Sequence, residues 1–202
     1  MNYYINYKLL TRFNIIYKIE SYWGEMNKVY LDVTELKNSL CVFVEDKEII
    51  SAGSTIYHID SNDKNEIYQQ YADEYDIHFI FADDIIKVWF YTVPQVDIFA
   101  TDSEGGLIGT IGSFTDLQSD LPICYINKNK ECFLIANSGK EFLETIKIWK
   151  NNLKPYNEVI FYESKLEAEK ELRFINIFKL WKTPNLNLCS IINCQFKLRR
   201  VS

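Results

Sequence analysis

The residues able to do chemistry are few, and their spacing decides most of what they can do. The chain has two histidines, His58 and His78. His58-x-Asp60 and Asp76-x-His78 each set an imidazole and a carboxylate on one side of a strand, an arrangement a divalent metal would use. Neither lies in H-E-x-x-H or beside a cysteine pair, so surface or structural roles are expected and no metal is assigned. Gly105, Gly106, Gly109 and Gly112 resemble a phosphate loop at first sight. Their order, G-G-x-x-G-x-x-G, departs from G-x-G-x-x-G, and no helix follows to offer its N-terminus to an anion. Asp102 and Glu104 beside them would repel phosphate. Asp102-x-Glu104 has the chemistry of a calcium ligand pair but lacks the rest of an EF-hand loop. There is no G-x-S-x-G elbow and no P-loop lysine. Acid pairs occur throughout so acidic a chain, so they carry no information about glycoside hydrolysis. The expectation is a binding protein rather than an enzyme, with no catalytic residues and no cofactor. A metal-dependent hydrolase using His58, His78 and nearby acids is the enzymatic alternative.

The five cysteines are Cys41, Cys124, Cys132, Cys189 and Cys194. An odd count without C-x-x-C spacing argues against both a disulfide framework and a zinc ribbon. Cys124 and Cys132 flank the turn at 127–130 and are read as small, half-buried, reduced side chains. At 202 residues and 48% hydrophobic, the chain has material for one sizeable core. No apolar run approaches the roughly 18 residues of a membrane span. The first residues lack the basic start and small-residue cleavage site of a signal peptide. A cytoplasmic protein without membrane contact is expected.

Charge is unevenly placed. Residues 60–120 carry thirteen acids against Lys64 and Lys87, a balance of −11 within a total of −6. Such a stretch repels nucleic acid. It attracts a basic protein and speeds the encounter, or it simply keeps the domain soluble.

Several elements must position these residues. Residues 1–25 are treated as an uncertain N-terminal extension. Trp23-Gly24-Glu25 requires purine-rich codons just before Met26, which points to Met26 as the natural start. The alternative is a helix over 8–22, with Leu9, Phe13, Ile16 and Ile19 at helical spacing. Strands are expected at 29–33 and 41–44, then a turn at 45–48 returning through Ile49-Ile50. Another strand is expected at 55–59, and 77–81 and 86–91 are β-rich. Residues 65–75 suit a helix with Ile67, Tyr71 and Tyr75 on one side. Residues 96–101 read as a central strand, 102–106 as an acidic glycine turn and 107–111 as the next strand. A loop at 112–120 leads to a hairpin of 123–127 with 131–136. Ser138 and Glu141 form a capping box that opens a helix carrying Phe142, Leu143, Ile146 and Trp149.

Residues 158–182 read as one long helix, with Tyr162, Leu166, Leu172, Ile175 and Phe178 as its buried stripe. Glu169 and Arg173 are its i,i+4 pair, and Pro184 ends it. The tail to residue 202 has a basic end at Lys197, Arg199 and Arg200. The fold class is α+β: a mixed, largely antiparallel sheet flanked by helices, with a long C-terminal helix. The domain is placed at 26–155, with 156–202 packed on it.

The run Val96-Asp97-Ile98-Phe99-Ala100-Thr101-Asp102-Ser103-Glu104-Gly105-Gly106-Leu107-Ile108-Gly109 resembles the SMI1/KNR4 family, or SUKH superfamily. Its members carry a strand ending in Phe-Ala, an acidic glycine turn and a further strand. The helix opening Ser138-Gly139-Lys140-Glu141-Phe142-Leu143 resembles a later family segment. The likeness covers roughly residues 86–150, and the family's usual N-terminal helix and Leu-Pro are absent. It implies a mixed sheet flanked by helices. It also implies an immunity protein that binds and neutralises a cognate polymorphic toxin domain, often a nuclease; a regulatory scaffold or adaptor of the same family is the second reading. An acidic surface would then mimic a nuclease's phosphate substrate. The expected toxin contacts are Asp83, Asp84, Asp102, Glu104, Asp116 and Asp120.

Overall fold

The computed structural model describes residues 15–19, 27–34, 40–44, 48–112 and 120–175. Among these, three α-helices and a mixed, mostly antiparallel seven-strand sheet make an α+β fold. The centre of the sheet is built from runs that are apolar on both faces. β8 (Val96–Thr101), β9 (Leu107–Ile111), β10 (Ile123–Ile126) and β11 (Cys132–Ala136) follow one another as antiparallel neighbours. Every residue of β9 and β10 is buried. That pattern requires cover on both sides of the sheet. β12 (Lys154–Pro155) closes one edge against β11. At the other edge β5 (Ser54–Ile56) lies parallel to β8, and β6 (His78–Phe79) continues alongside it antiparallel.

One face packs under α1 (Glu66–Tyr75), α2 (Gly139–Thr145) and the 3-10 turn Ile146–Asn151. Phe99, Ile108, Ile123, Phe142 and Trp149 form the centre of that layer. Trp149 donates its indole N–H to the Tyr75 carbonyl at 2.7 Å, so its one polar group is satisfied inside the core. The opposite face holds Val96, Ile98, Leu107, Cys124, Ile126 and Cys132. It is covered by residues 86–90 and by Tyr156, Val159 and Phe161.

Smaller strand pairs flank this sheet. β1 (Ile15–Ile19) lies parallel to β3 (Leu40–Val44), and β2 (Lys28–Asp32) parallel to β4 (Glu48–Ala52). β7 (Tyr91–Val93) pairs antiparallel with β13 (Ile160–Tyr162). α3 (Lys165–Glu171) follows β13, and Ala168 packs against Ala52, Tyr91 and Tyr162.

Several expectations are corrected. Residues 15–19 are strand rather than helix; Ile15, Ile16 and Ile19 are β-branched, which favours extended backbone. The rest of residues 1–26 lies outside the described residues. The expected return of 41–44 through Ile49-Ile50 does not form, because β4 pairs with β2 instead. The strand expected at 86–91 is hydrogen-bonded only from Tyr91 onwards. In α1 the inner face is Tyr68, Tyr71 and Tyr75: Tyr68 packs on Phe79 and Phe81, and Tyr71 on Tyr75 and Phe79. Ile67 is 62% exposed.

The long helix at 158–182 is absent over its described part. Val159-Ile160-Phe161-Tyr162 is a β-branched and aromatic run that takes strand geometry. Ser164 and Glu167 then form a variant of the capping box: the Ser164 hydroxyl accepts from the Glu167 N–H, and the Glu167 carboxylate accepts from the N–H of Glu163, one residue before the cap, at 2.6 Å. The helix so started ends at Glu171, so Arg173 lies beyond it, and Leu166 is 73% exposed. Phe178 and the basic tail lie outside the described residues.

Candidate binding surface

Of the thirteen acids between 60 and 120, nine are exposed: Asp60, Asp63, Glu66, Asp73, Glu74, Asp83, Asp84, Glu104 and Asp120. None of the nine forms an ion pair among the described residues. Most of them are arranged by α1. Asn65 caps the helix, its side chain accepting from the Ile67 N–H at 2.9 Å. The 3-10 turn Ser61–Asp63 precedes it, capped by Asp60. Asp76 closes the helix in the left-handed conformation, with φ of 55°. Ten helical residues carry the acids about 15 Å from one end to the other.

At the N-terminal end, the bridge between Ile59 and Phe81 brings two turns together. The Ser61 hydroxyl donates to Asp83 at 2.6 Å, and Asp84 accepts from the Phe81 N–H at 2.8 Å. The Ser61 hydrogen bond holds the Asp83 carboxyl below the usual aspartate range. Asp60, Asp63, Asp83 and Asp84 thus share one corner. Lys64 lies nearby, but its ammonium sits over the Phe81 ring, 5.1 Å from the centroid.

At the C-terminal end, Asp76 holds three elements together. Its carboxylate accepts from the Ser103 N–H and hydroxyl at 2.9 Å each, meets His78 Nε2 at 3.1 Å and pairs with Lys150 Nζ at 2.5 Å. Partial burial pushes this carboxyl up. The hydrogen bonds from Lys150, Ser103 and His78 outweigh that and hold it at about 2. Burial works against the Lys150 charge, yet Asp76, Asp102 and Glu104 keep its pKa above the ordinary lysine value.

Asp102 is an internal residue. Its side chain is 1% exposed. It accepts from the Gly106 N–H at 2.6 Å and the Tyr125 hydroxyl at 3.0 Å, and Lys150 lies 3.6 Å away. Burial and the Asp102 carboxylate together raise the Tyr125 hydroxyl well above its ordinary pKa. The two glycines of the turn serve this geometry. Gly105 has φ of 81°, and a Cβ on Gly106 would lie 2.2 Å from the Tyr125 ring.

The six expected contacts are therefore not one patch. Asp83 and Asp84 share a corner with Asp60 and Asp63. Glu104 is exposed at the opposite end of α1, beside the buried Asp102. Asp120 is exposed near the far end of the β9–β10 hairpin, where the Ile111 N–H meets the Pro122 carbonyl. Asp116 lies outside the described residues. Sequence reasoning missed Asp60 and Asp63 as companions of Asp83. The one local signal was the Asp60-Ser61-Asn62-Asp63 turn, and its approach to residue 83 depends on strand pairing.

Of the two His–Asp pairs weighed as metal ligands, Asp76 and His78 meet at 3.1 Å within the Lys150–Ser103 network, whereas His58 and Asp60 do not come together. His58 lies past the end of β5 and is exposed, and the Asp60 Oδ1 accepts from Asn62 instead. Among the described residues, no group of three or more His, Cys, Asp or Glu side chains comes together as a metal site. No described helix is long and apolar enough to cross a membrane. Cys124 and Cys132 are free and buried rather than half-buried. Comparison with family models, with curated proteins and with solved structures found no match to this chain.

Proposed function

We propose that this chain is a non-catalytic binding protein that neutralises a cognate toxin domain, in the manner of SUKH immunity proteins, through its acidic surface. The observation that carries the reading is the set of nine exposed carboxylates without ion pairs among the described residues, eight of them spread along α1 and over the turns at its ends and the ninth, Asp120, beyond β9. Acids held for internal stability would be paired, as Asp76 and Asp102 are with Lys150. Unpaired acids on one stretch create a field that steers a basic partner into encounter. A nuclease is the natural target, since its active-site groove is built to attract phosphate. The proposed contacts are Asp83, Asp84, Glu104 and Asp120, with Asp60 and Asp63 beside the first two, whereas Asp102 is buried.

The test is capture from the native host followed by kinetics. A basic toxin domain should co-purify with the chain. Replacing acids by D83K, D84N and E104K should slow association, most strongly at low salt; Asn at 84 keeps the acceptor for the Phe81 N–H. Salt-independent association with unchanged affinity would remove the acidic surface from the interaction. A partner with regulatory rather than toxic activity would favour the scaffold reading.

A further inference from the structure

Residues 85–90 lead into β7 with strand-like alternation but belong to no hydrogen-bonded strand among the described residues. Their burial alternates: Ile86, Val88 and Phe90 pack on the sheet's second face, while Ile85, Lys87 and Trp89 point outward. That is the period-two pattern of a strand. Yet among the described residues no backbone N–H or C=O of these six has a hydrogen-bond partner. The reason lies in β13. It pairs with β7 only as far as Tyr91 opposite Tyr162, because the Ser164 cap then turns the chain into α3.

Alternation says which way the open groups point. The Thr92 carbonyl accepts from the Gly53 N–H at 2.8 Å, so Tyr91 and Val93 direct their backbone groups at β13. By the same rule, Ile85, Lys87 and Trp89 direct theirs into the lane that β13 leaves. Unpaired strand edges are normally covered or guarded. This one exposes Ile85 by 97% and Trp89 by 43%. The four-carboxylate corner of Asp60, Asp63, Asp83 and Asp84 stands at its start.

We infer that the edge at residues 85–90 takes up an extended, basic segment of the partner protein as an added β-strand. Open backbone groups in strand geometry select an extended chain. Ile85 and Trp89 give its apolar side chains a surface, and the carboxylate corner selects basic residues at its end. A second copy of this chain suits the edge less, because it brings another charge of −6. The inference rests on the binding reading above and gives that surface its backbone contact.

The probe is the peptide Lys-Lys-Val-Thr-Val-Thr-Lys-Lys added to the full-length chain, with amide hydrogen exchange read residue by residue. The amides of Ile85, Lys87 and Trp89 should slow on addition. The same peptide with Glu in place of Lys should leave them unchanged. K87P removes one open donor and no existing hydrogen bond, so it should keep the thermal midpoint and weaken binding roughly tenfold. Three results would overturn the inference. One is no protection by the basic peptide, another is equal protection by the acidic one. The third is protection that grows with protein concentration alone, which would mark self-pairing. With the captured partner the two claims separate. Slowed association of the acid variants with residues 85–89 still unprotected sinks the added strand and keeps the binding reading. Protection by the basic peptide without any captured toxin does the reverse.

Discussion

Replacing Asp102 by alanine should cost stability and leave partner binding intact, although its place in the acidic stretch marks it as a surface contact. The carboxylate is 1% exposed and satisfies the Gly106 N–H and the Tyr125 hydroxyl. Alanine leaves both groups without an acceptor, at about 1–3 kcal/mol for each buried group. It also leaves Lys150 with Asp76 alone, a smaller loss because Lys150 is partly exposed. Relief of a buried charge returns part of this. The net expectation is about 3 kcal/mol, which lowers the melting temperature by roughly 6–12 °C for a chain of this length. Asparagine is the control. It still accepts from Gly106, and the Tyr125 hydroxyl can turn to accept from its amide, so D102N should cost about 1 kcal/mol. Urea unfolding of D102A, D102N and Y125F with the D102A/Y125F double variant measures the coupling directly. The reasoning fails if D102A lies within about 0.5 kcal/mol of the parent chain, the range of ordinary surface changes, or if the two sites are additive.

G106A should lose about 2–3 kcal/mol, because its Cβ would sit 2.2 Å from the Tyr125 ring and the ring cannot shift without leaving Asp102; a parent-like urea midpoint would contradict the close approach. Asp76 titrates at about 2, below the ordinary aspartate value near 4, so its stabilising effect is complete above about pH 4 and is lost as pH falls through about 2. D76N should therefore flatten the urea midpoint between pH 5 and 2, and parallel curves for the two chains would count against the network around Lys150. Cys124 and Cys132 are buried, and the neighbouring Cys132 thiol with the burial itself raises the Cys124 thiol pKa. Mass-mapped thiol labelling should modify both only in denaturant; native labelling within minutes would contradict their burial.

What the sequence made legible is local. The bounds of β8 and β9 follow from apolar runs set off by a glycine turn, and Ser138 announces a helix by capping chemistry. Even the Ser138 box needs a refinement, since Glu141 reaches back to the Asn137 N–H rather than the Ser138 N–H. The long C-terminal helix failed because a helical stripe was traced across Ser164, whose own capping box with Glu167 marks a start after a strand. The return of β3 into β4 failed because partner choice is non-local, and nothing in either strand names β2 as the neighbour. Asp102 and Asp83 look alike in sequence. Tyr125, 23 positions further on, internalises one, while Ser61, 22 positions back, leaves the other at the surface. The open edge at 85–90 was hidden for the same reason: its alternation reads as an ordinary strand, and its lack of a partner depends on where β13 stops.

The most direct test of the acidic binding surface is association kinetics between the full-length chain and the basic partner it captures, at low and high salt. With D83K, D84N and E104K together, the account predicts association roughly tenfold slower at low salt, converging with the parent chain at high salt, at an unchanged melting temperature. Equal association rates for the two chains at low salt would contradict it.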